Sequence, residues 1–302
     1  MASTYIYQEV WENKLAQRLD LPQNWKDVND VVFTDQQIHN FPLITTGNEP
    51  AVTTDKFTTA AERSDVTKLI PIISTTQTNE TLSIITTDID SAYIDYADQA
   101  QSNYAKQAQL GDLLGKKITE RVEAISLGNH GNWTDFGDTG AGVLGLSSTN
   151  ITVTTSNIDD IIRGVIEQIQ EANGFDIYMR NGGFAVWRPA DWTKLVTFMQ
   201  ANGFTFADEA LKTGGKGMIG KETMGLFHYV STSHATNHVM AGVRGVQKLG
   251  ILNRTWGRVF ANEMPSSSSQ GSLSGTQLHT RVDYGLLIPT NLKPVIYDIN
   301  VA

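Results

Sequence analysis

Residues 91–127 read SAYIDYADQAQSNYAKQAQLGDLLGKKITERVEAISL, the most informative pattern in the chain. Apolar and small side chains recur here at every third or fourth position, which predicts one helix. The stripe consists of Tyr93, Ala97, Ala100, Tyr104, Ala108, Gly111, Leu114, Ile118, Val122 and Ile125. Such a helix would have about 37 residues and be roughly 55 Å long, about three times the usual length. A helix this long is unusual for an enzyme core and suits a structural spine that carries load.

Two runs rich in β-branched residues precede the predicted helix. Val66–Ile73 (VTKLIPII) and Thr81–Thr87 (TLSIITT) are separated by a polar turn around Gln77–Glu80. They predict an extended two-stranded element. Because an isolated hairpin is marginally stable in water, this element needs a partner surface.

The segment before the hairpin is predicted to be an arm. Tyr5–Leu19 has the spacing of a short amphipathic helix, which Pro22 closes. A polar, irregular stretch then runs to about Gly47. Compact domains seldom contain such long uncovered connections, so we predict an arm lying on a neighbouring molecule. A locally packed loop is the alternative.

Shorter elements follow the predicted long helix. The glycine-rich stretch Asn129–Asn150 and the serine-rich stretch Pro265–Gly275 are predicted loops. Helices are predicted over Ile158–Ala172 and from about Ala190 to Ala201. The predicted strands are Gly183–Trp187, Leu226–Ser231, His238–Ala241, Val246–Leu252, Thr255–Ala261, Gln277–Ile288 and Pro294–Val301.

Composition narrows the functional classes. The chain has 302 residues, of which 40% are hydrophobic and 18% charged, a globular composition. The absence of cysteine excludes disulfides and cysteine-ligated metals. A net charge of −9, with scattered basic residues, argues against a tight grip on nucleic acid. No apolar run is long enough to cross a membrane, and Met1–Leu19 lacks the pattern of a signal peptide, so the protein is expected to stay in the cell that makes it.

Two motifs could indicate an enzyme or a metal site. Gly215–Lys221 (GKGMIGK) fits most of a phosphate-binding loop, but Glu222 stands where serine or threonine should reach magnesium. His234 and His238 are four residues apart, as in a zinc-binding helix, but Ala235 replaces the required glutamate. We interpret them as a flexible loop and a surface turn. No nucleophile elbow is present. We therefore predict that the protein is not an enzyme and has no catalytic, cofactor-binding or metal-binding residues.

The order of elements resembles a known family. Arm, threonine-rich hairpin, long helix, second helix and strand lead into Trp187–Trp192 (WRPADW), which opens a third helix. This order is similar to that of the major capsid proteins of the HK97 fold, found in tailed bacteriophages and encapsulin shells. The resemblance covers nearly the whole chain and rests on architecture. It implies an α+β, HK97-like capsid fold. Its parts would be an N-terminal arm (1–46), an extended β-hairpin loop (47–90), a peripheral domain (91–175, with spine helix 91–127 and completed by 276–302) and an axial domain (176–275).

The resemblance implies a structural function. The chain would self-assemble as pentamers and hexamers into an icosahedral shell that encloses phage DNA without sequence-specific binding. It would be made in the host cytoplasm and located in the virion capsid, without membrane contact. Some family members carry their own scaffolding segment before the arm, for which this sequence has no room. The expectation is a separate scaffolding protein; the alternative is a processed chain, against which Met1 argues. A portal is a further implied partner, and a decoration protein is optional. The alternatives are an encapsulin-type nanocompartment shell and a nucleotide-binding enzyme.

The arm and hairpin are the segments predicted to contact neighbouring subunits. The candidate intersubunit contact residues are Trp11, Lys56, Lys68, Ile70 and Ile72. Some family members cross-link a lysine of the extended loop to an asparagine of the next subunit, and Lys56 and Lys68 lie in the corresponding region. We interpret Lys56 and Lys68 as ordinary surface lysines.

Overall fold

The computed structural model of the chain describes residues 23–46, 75–95, 106–136, 151–202, 222–233, 235–264 and 275–301. The chain divides into a smaller unit, residues 38–82, and a larger unit, residues 1–37 with 83–302. The helices are α1 Trp25–Val28, α2 Lys106–Gly128, α3 Ile158–Glu171, α4 Phe175–Asn181 and α5 Pro189–Ala201, with 3-10 turns at Asn129–Asn132 and Lys293–Val295. The strands are β1 Asp30–Thr34, β2 Ile38–Thr46, β3 Thr75–Ser83, β4 Thr86–Asp95, β5 Thr134–Asp135, β6 Gly183–Trp187, β7 Glu222–Thr223, β8 Leu226–Val230, β9 His238–Val243, β10 Lys248–Leu252, β11 Val259–Met264, β12 Gly275–Leu287 and β13 Ile296–Asn300.

A six-stranded sheet in the larger unit has the order β5-β13-β9-β6-β8-β7. All residues of β6 are buried, and the strand is central in the sheet, with a parallel neighbour, β8, and an antiparallel one, β9. The aliphatic stripe of α3 packs into the same core, from Ile158 to Ile169. The predicted helices near 158–172 and 190–201 and the predicted strand Gly183–Trp187 are confirmed. Helix α4 was not predicted, because its seven residues show too little periodicity.

The spine helix α2 lies on the five-stranded sheet of the larger unit. That sheet has the order β1-β10-β12-β11, and β4 also pairs with β12. Ile118 and Val122 of the helix pack with Leu249, Ile251 and Val282 of the strands. Leu114 packs with Ile94 and Leu278 in a second cluster. The helix is therefore confirmed from Lys106 onwards, and the apolar stripe packs on a sheet.

The start of the predicted spine helix is wrong. Residues 91–95 are the end of β4, which pairs antiparallel with β12 from Thr86↔Tyr284 to Asp95↔Gly275. Residues 96–105 lie outside the described residues. The error has a geometric reason: residues four apart share one face in a helix and also in a strand. The step from Tyr93 to Ala97 therefore fits both structures.

The smaller unit contains a two-stranded sheet, in which β2 pairs with β3. Thr81 Oγ1 donates to Asn40 Oδ1 at 2.9 Å across the two strands. The predicted turn at Gln77–Glu80 is wrong, because these residues lie inside β3. The partner of β3 comes from residues 38–46, which the sequence analysis assigned to an irregular stretch, since Pro42 weakens the strand signal. The other predicted strand, Val66–Ile73, lies outside the described residues.

Part of the predicted arm is built into the larger unit. Trp25 and Val28 are fully buried, and β1 pairs in parallel with β10. Residues 24–34 therefore pack within the chain, although as a short helix and a strand and not as the loop that the alternative described. The predicted helix Tyr5–Leu19 lies outside the described residues.

A buried carboxylate anchors this N-terminal segment to the spine helix. Glu123 is fully buried, and its side chain accepts hydrogen bonds from the Trp25 backbone N–H at 2.8 Å and from Asn24 Nδ2 at 3.2 Å. Burial raises the pKa of Glu123 to about 7, although these hydrogen bonds and one from Ser231 act in the opposite direction. The loss of hydration raises the pKa more than the hydrogen bonds lower it, because a charge is poorly solvated inside a protein.

The larger unit is expected to lose stability as the pH rises from about 4.5 to about 7. Folded Glu123 keeps its proton up to about pH 7 and the unfolded chain releases it near 4.5, so protonation favours the folded state in this window. The change is on the order of 3 kcal/mol. Urea unfolding of the unassembled subunit at about pH 5 and about pH 8 measures it. Glu123→Gln should remove this part of the pH dependence, and the exposed control Glu167→Gln should retain it. Equal pH dependence in the wild type and Glu123→Gln would contradict the assignment.

A buried amide joins three further segments of the larger unit. Gln247 is fully buried just before β10, and its Oε1 accepts from Trp133 Nε1 at 2.7 Å and Asn129 Nδ2 at 2.9 Å. Its Nε2 donates to Asn29 Oδ1 and to the Ser126 carbonyl, both at 2.9 Å. All four hydrogen-bonding positions of the amide are therefore used.

Candidate interaction surfaces

The five residues predicted to make intersubunit contacts all lie outside the described residues. This applies to Trp11 in the predicted arm and to Lys56, Lys68, Ile70 and Ile72 in the predicted hairpin loop. The loop Gly215–Lys221 and His234 also lie outside them. The contact candidates therefore remain predictions, and candidate surfaces among the described residues have to be identified from exposure.

Strand β4 carries an exposed apolar row at the edge of the five-stranded sheet. Among the described strands, β4 pairs with β12 alone. Ile85, just before the strand, is 78% exposed, Ile89 is 62% exposed and Tyr93 is 39% exposed. The spacing of four residues places Ile89 and Tyr93 on one face of the strand, and Ile85 lies four residues before Ile89. We call Ile85, Ile89 and Tyr93 the edge row.

The opposite face of β4 is fixed to the spine helix. Ile94 is buried against Leu114 and Leu278. Asp88 accepts from Arg121 Nε at 2.8 Å, and Asp90 lies 3.2 Å from Lys117 Nζ. Each of these partly exposed ion pairs contributes at most about 1 kcal/mol, so the apolar contact does most of the anchoring. The strand therefore presents the edge row from a rigid support.

The surface around the edge row includes side chains of the neighbouring strands. Tyr93 is paired with Gln277 and Ile89 with Arg281 across the β4–β12 ladder. The ring of His279 stacks on Phe260 of β11, with centroids 5.2 Å apart. Long, exposed edge strands with apolar side chains are sites where another chain can pair. This surface is the strongest candidate for a contact with a second molecule.

A second apolar patch lies on α4. Phe175 is 47% exposed and Met179 is 66% exposed, and their separation of four residues places them on one face of the helix. Phe175 stacks on Tyr178 at 6.1 Å between ring centroids. The patch is smaller than the edge row and belongs to a helix of seven residues.

A polar groove of about 700 Å³ lies beside α1 and α4. Its lining includes four basic residues, Lys26, Arg180, Arg244 and Lys248, and the acidic residues Asp27 and Asp30. Lys248 is paired with Asp30 at 2.5 Å, and Arg180 with Asp176 at 2.6 Å. Two of the four basic residues therefore already have acidic partners, and the groove carries charges of both signs.

The two groups with the most perturbed pKa values among the described acids and histidines have structural roles. His228 is fully buried, its Nδ1 accepts from Trp187 Nε1 at 2.9 Å, and its Nε2 donates to the Thr223 carbonyl at 2.9 Å. Burial lowers its pKa to about 4, so it is neutral near pH 7. Both ring nitrogens are occupied, and Glu123 is equally enclosed. Neither group reaches a surface where a substrate could bind.

No helix among the described residues is long and apolar enough to cross a membrane.

Comparison with known proteins gives matches at the level of structure. No protein-family model matches the chain. No curated protein sequence matches it either. A chain from the capsid of Ralstonia phage GP4 superposes with a TM-score of 0.64 at 10% identity, covering 99% of this chain and 98% of that chain. A chain from Mycobacterium phage Che8 gives a TM-score of 0.62 at 13% identity, with coverages of 99% and 98%. A chain from the capsid structure of the Cyanophage P-SCSP1u gives 0.60 at 11% identity, with coverages of 98% and 93%.

These superpositions include nearly every residue of each chain. At 10–13% identity the likeness concerns the fold. The α+β, HK97-like fold predicted from the order of elements is therefore confirmed.

Proposed function

We propose that this chain is the major capsid protein of a tailed bacteriophage. Copies of it would assemble as pentamers and hexamers into an icosahedral shell that encloses DNA. The observation that carries the proposal is the full-length match of fold with chains of phage capsids, at coverages of 98–99% of this chain.

Three features of the described residues support a structural role. The edge row supplies apolar area and a strand edge on a rigid support. The most perturbed carboxyl and imidazole groups are buried in hydrogen bonds within the fold. The net charge of −9 suits a shell that confines DNA without binding it tightly. A separate scaffolding protein and a portal, with an optional decoration protein, belong to the same proposal, as does synthesis in the host cytoplasm.

Assembly state is the direct test. The purified protein would be run on a sizing column and the large fraction imaged by electron microscopy. Closed shells, or rings of five and six subunits, are the expected result. DNA protected from nuclease inside particles that carry the protein would separate a capsid from an encapsulin-type shell. A monomer that does not assemble with any scaffolding protein from its own genome would overturn the proposal.

The edge row is expected to be necessary for assembly and dispensable for folding. Replacing both Ile85 and Ile89 by aspartate places two charges on a surface that, in a shell, would be covered by a second copy. Because both side chains are more than 60% exposed in the subunit, the change in the free energy of unfolding should be within about 0.5 kcal/mol. We expect at least a tenfold loss of assembled particles, counted by electron microscopy, with an unchanged melting temperature.

The control for this variant is Ser91→Asp, which adds a charge to the same exposed face and removes no apolar surface. It should assemble better than the double variant. Normal shells from the Ile85→Asp/Ile89→Asp variant would exclude the edge row as a contact, whether or not the protein is a capsid subunit.

A further inference from the structure

Two imidazoles and one carboxylate meet where the end of the spine helix reaches the six-stranded sheet. His130 lies in the 3-10 turn after α2, His238 begins β9 and Asp298 lies in β13. His130 Nδ1 is 2.8 Å from Asp298 Oδ2. His238 Nδ1 is 2.9 Å from Asp298 Oδ1 and 3.1 Å from Oδ2. One donor atom from each residue lies within 4.8 Å of the other two.

The backbone fixes these three positions. His238 pairs with Asn300 in the β9–β13 ladder, so Asp298 is its diagonal neighbour on the same face of the sheet. The Phe136 N–H donates to the Asp298 carbonyl at 3.0 Å, and the Trp133 N–H donates to the His130 carbonyl at 2.9 Å. The turn that carries His130 is thereby held against β13. The three side chains are preorganised by elements that are distant in sequence.

The group is partly buried and remains accessible to an ion. The side chains of His130, His238 and Asp298 are 18%, 21% and 12% exposed. Burial at this level weakens competition from water, and the exposed fraction leaves a path for entry. The two imidazole rings lie 4.3 Å apart between centroids, close enough for both to contact one ion.

We propose that His130, His238 and Asp298 form a binding site for a divalent transition-metal ion, with Zn²⁺ as the ion that fits best. Two imidazole nitrogens and a carboxylate oxygen are a ligand set for such ions. Zn²⁺ with ligands at about 2.0–2.2 Å holds neighbouring donors roughly 3 to 3.5 Å apart. The observed nitrogen–oxygen distances of 2.8–3.1 Å need only a small expansion.

Binding would replace the two N–H···O hydrogen bonds with metal–ligand bonds. Without metal, the carboxylate oxygens of Asp298 accept a hydrogen bond from Nδ1 of each imidazole. Metal binding requires each Nδ1 to be free of its proton, which moves to Nε2 or to water, and water would complete the coordination. The ion would join the end of α2 to β9 and β13.

The sequence motif paired His238 with His234 and did not indicate the group of His130, His238 and Asp298. The reason is that His130 lies 108 residues before His238 and Asp298 lies 60 residues after it.

Metal titration of the purified, chelator-treated protein tests the proposal. Zn²⁺ should bind with one ion per chain by calorimetry and raise the melting temperature. Co²⁺ should bind at the same place and develop the visible absorption of a site with nitrogen and oxygen ligands. His238→Asn and Asp298→Asn should each weaken binding at least tenfold. His279→Asn, which removes an imidazole outside the group, should bind as the wild type does.

Wild-type protein alone can overturn the proposal, so the test does not depend on the folding of a variant. Failure to bind one Zn²⁺ per chain would show that the group is only a hydrogen-bonded cluster. Binding that survives in His238→Asn, or disappears in His279→Asn, would place the ion elsewhere. Neither readout involves assembly, so the outcome is independent of the proposed shell function.

Discussion

Replacing Gln247 by glutamate is expected to destabilise the larger unit by on the order of 4 kcal/mol, a large part of the stability of a typical domain. The substitution keeps the shape of the side chain and turns a two-proton donor into an acceptor. Oε1 of either residue can accept from Trp133 and Asn129. The other oxygen of glutamate would face the oxygens of Asn29 and Ser126, which now accept hydrogen bonds.

The surroundings cannot adjust to this change. The Ser126 acceptor is a backbone carbonyl of the spine helix and cannot reverse its polarity. Asn29 could turn its amide, but its Nδ2 already donates to the Trp25 carbonyl at 2.7 Å and to Ser126 Oγ at 2.5 Å. Two repulsive contacts, or a buried protonated acid without a matching acceptor pattern, would remain. The cost of an unmatched buried polar group therefore applies more than once.

Urea unfolding of the unassembled subunit measures the effect. The control is Gln170→Glu on the exposed face of α3, which makes the same chemical change and should alter stability by less than about 0.5 kcal/mol. A loss below about 1 kcal/mol for Gln247→Glu would show that the four hydrogen bonds do not hold these segments together.

Replacing Trp25 by alanine is expected to cost about 3 to 5 kcal/mol. Trp25 is fully buried in one cluster with Ile118 and Val122 of the spine helix and Leu249 of β10. Its ring meets Trp256 edge-on, with centroids 5.8 Å apart. Removing the indole leaves a cavity that rigid strands and a helix cannot close.

The ring volume of Trp25 matters more than its polar atom. Trp25 Nε1 has no hydrogen-bond partner within the described part of the chain, so Trp25→Phe should recover most of the lost stability. Trp256→Ala is the second comparison, because Trp256 is only partly buried and should cost less. All three are measured by thermal and urea unfolding. A loss in Trp25→Ala no larger than that in Trp256→Ala would mean that residues 24–28 are only loosely attached.

Local periodicity predicted the helices and strands of the larger unit better than it predicted which of them pack or pair together. The stripe of α3 and the apolar run of β6 needed only neighbouring residues to be recognised. The strand character of residues 91–95 was hidden because Tyr93 fits a helical and an extended spacing equally well. The integration of Trp25 depends on Glu123 and Leu249, which are far away in sequence and carry no local signal.

The candidate surfaces show the same limit. The edge row is visible only when β12 is known to cover one edge of β4 and the spine helix one face. The burial of Glu123 could not be predicted from its residue type, because charged residues are normally exposed. Only the folded structure shows the hydrogen-bond partners that allow this exception. The histidine and aspartate group is likewise assembled from three separate parts of the chain.

The parallel pairing of β1 with β10 joins Asp30 to Lys248, which are 218 residues apart. A ribosome adding about 5–20 residues per second therefore exposes β1 for roughly 10 to 40 seconds before its partner exists. The same holds for β4, which is made long before its partner β12. The edge row therefore gains its supporting strand only after residues 275–287 have been made. In the proposed shell, a chain truncated before these residues would lack a supported edge row and would not be incorporated.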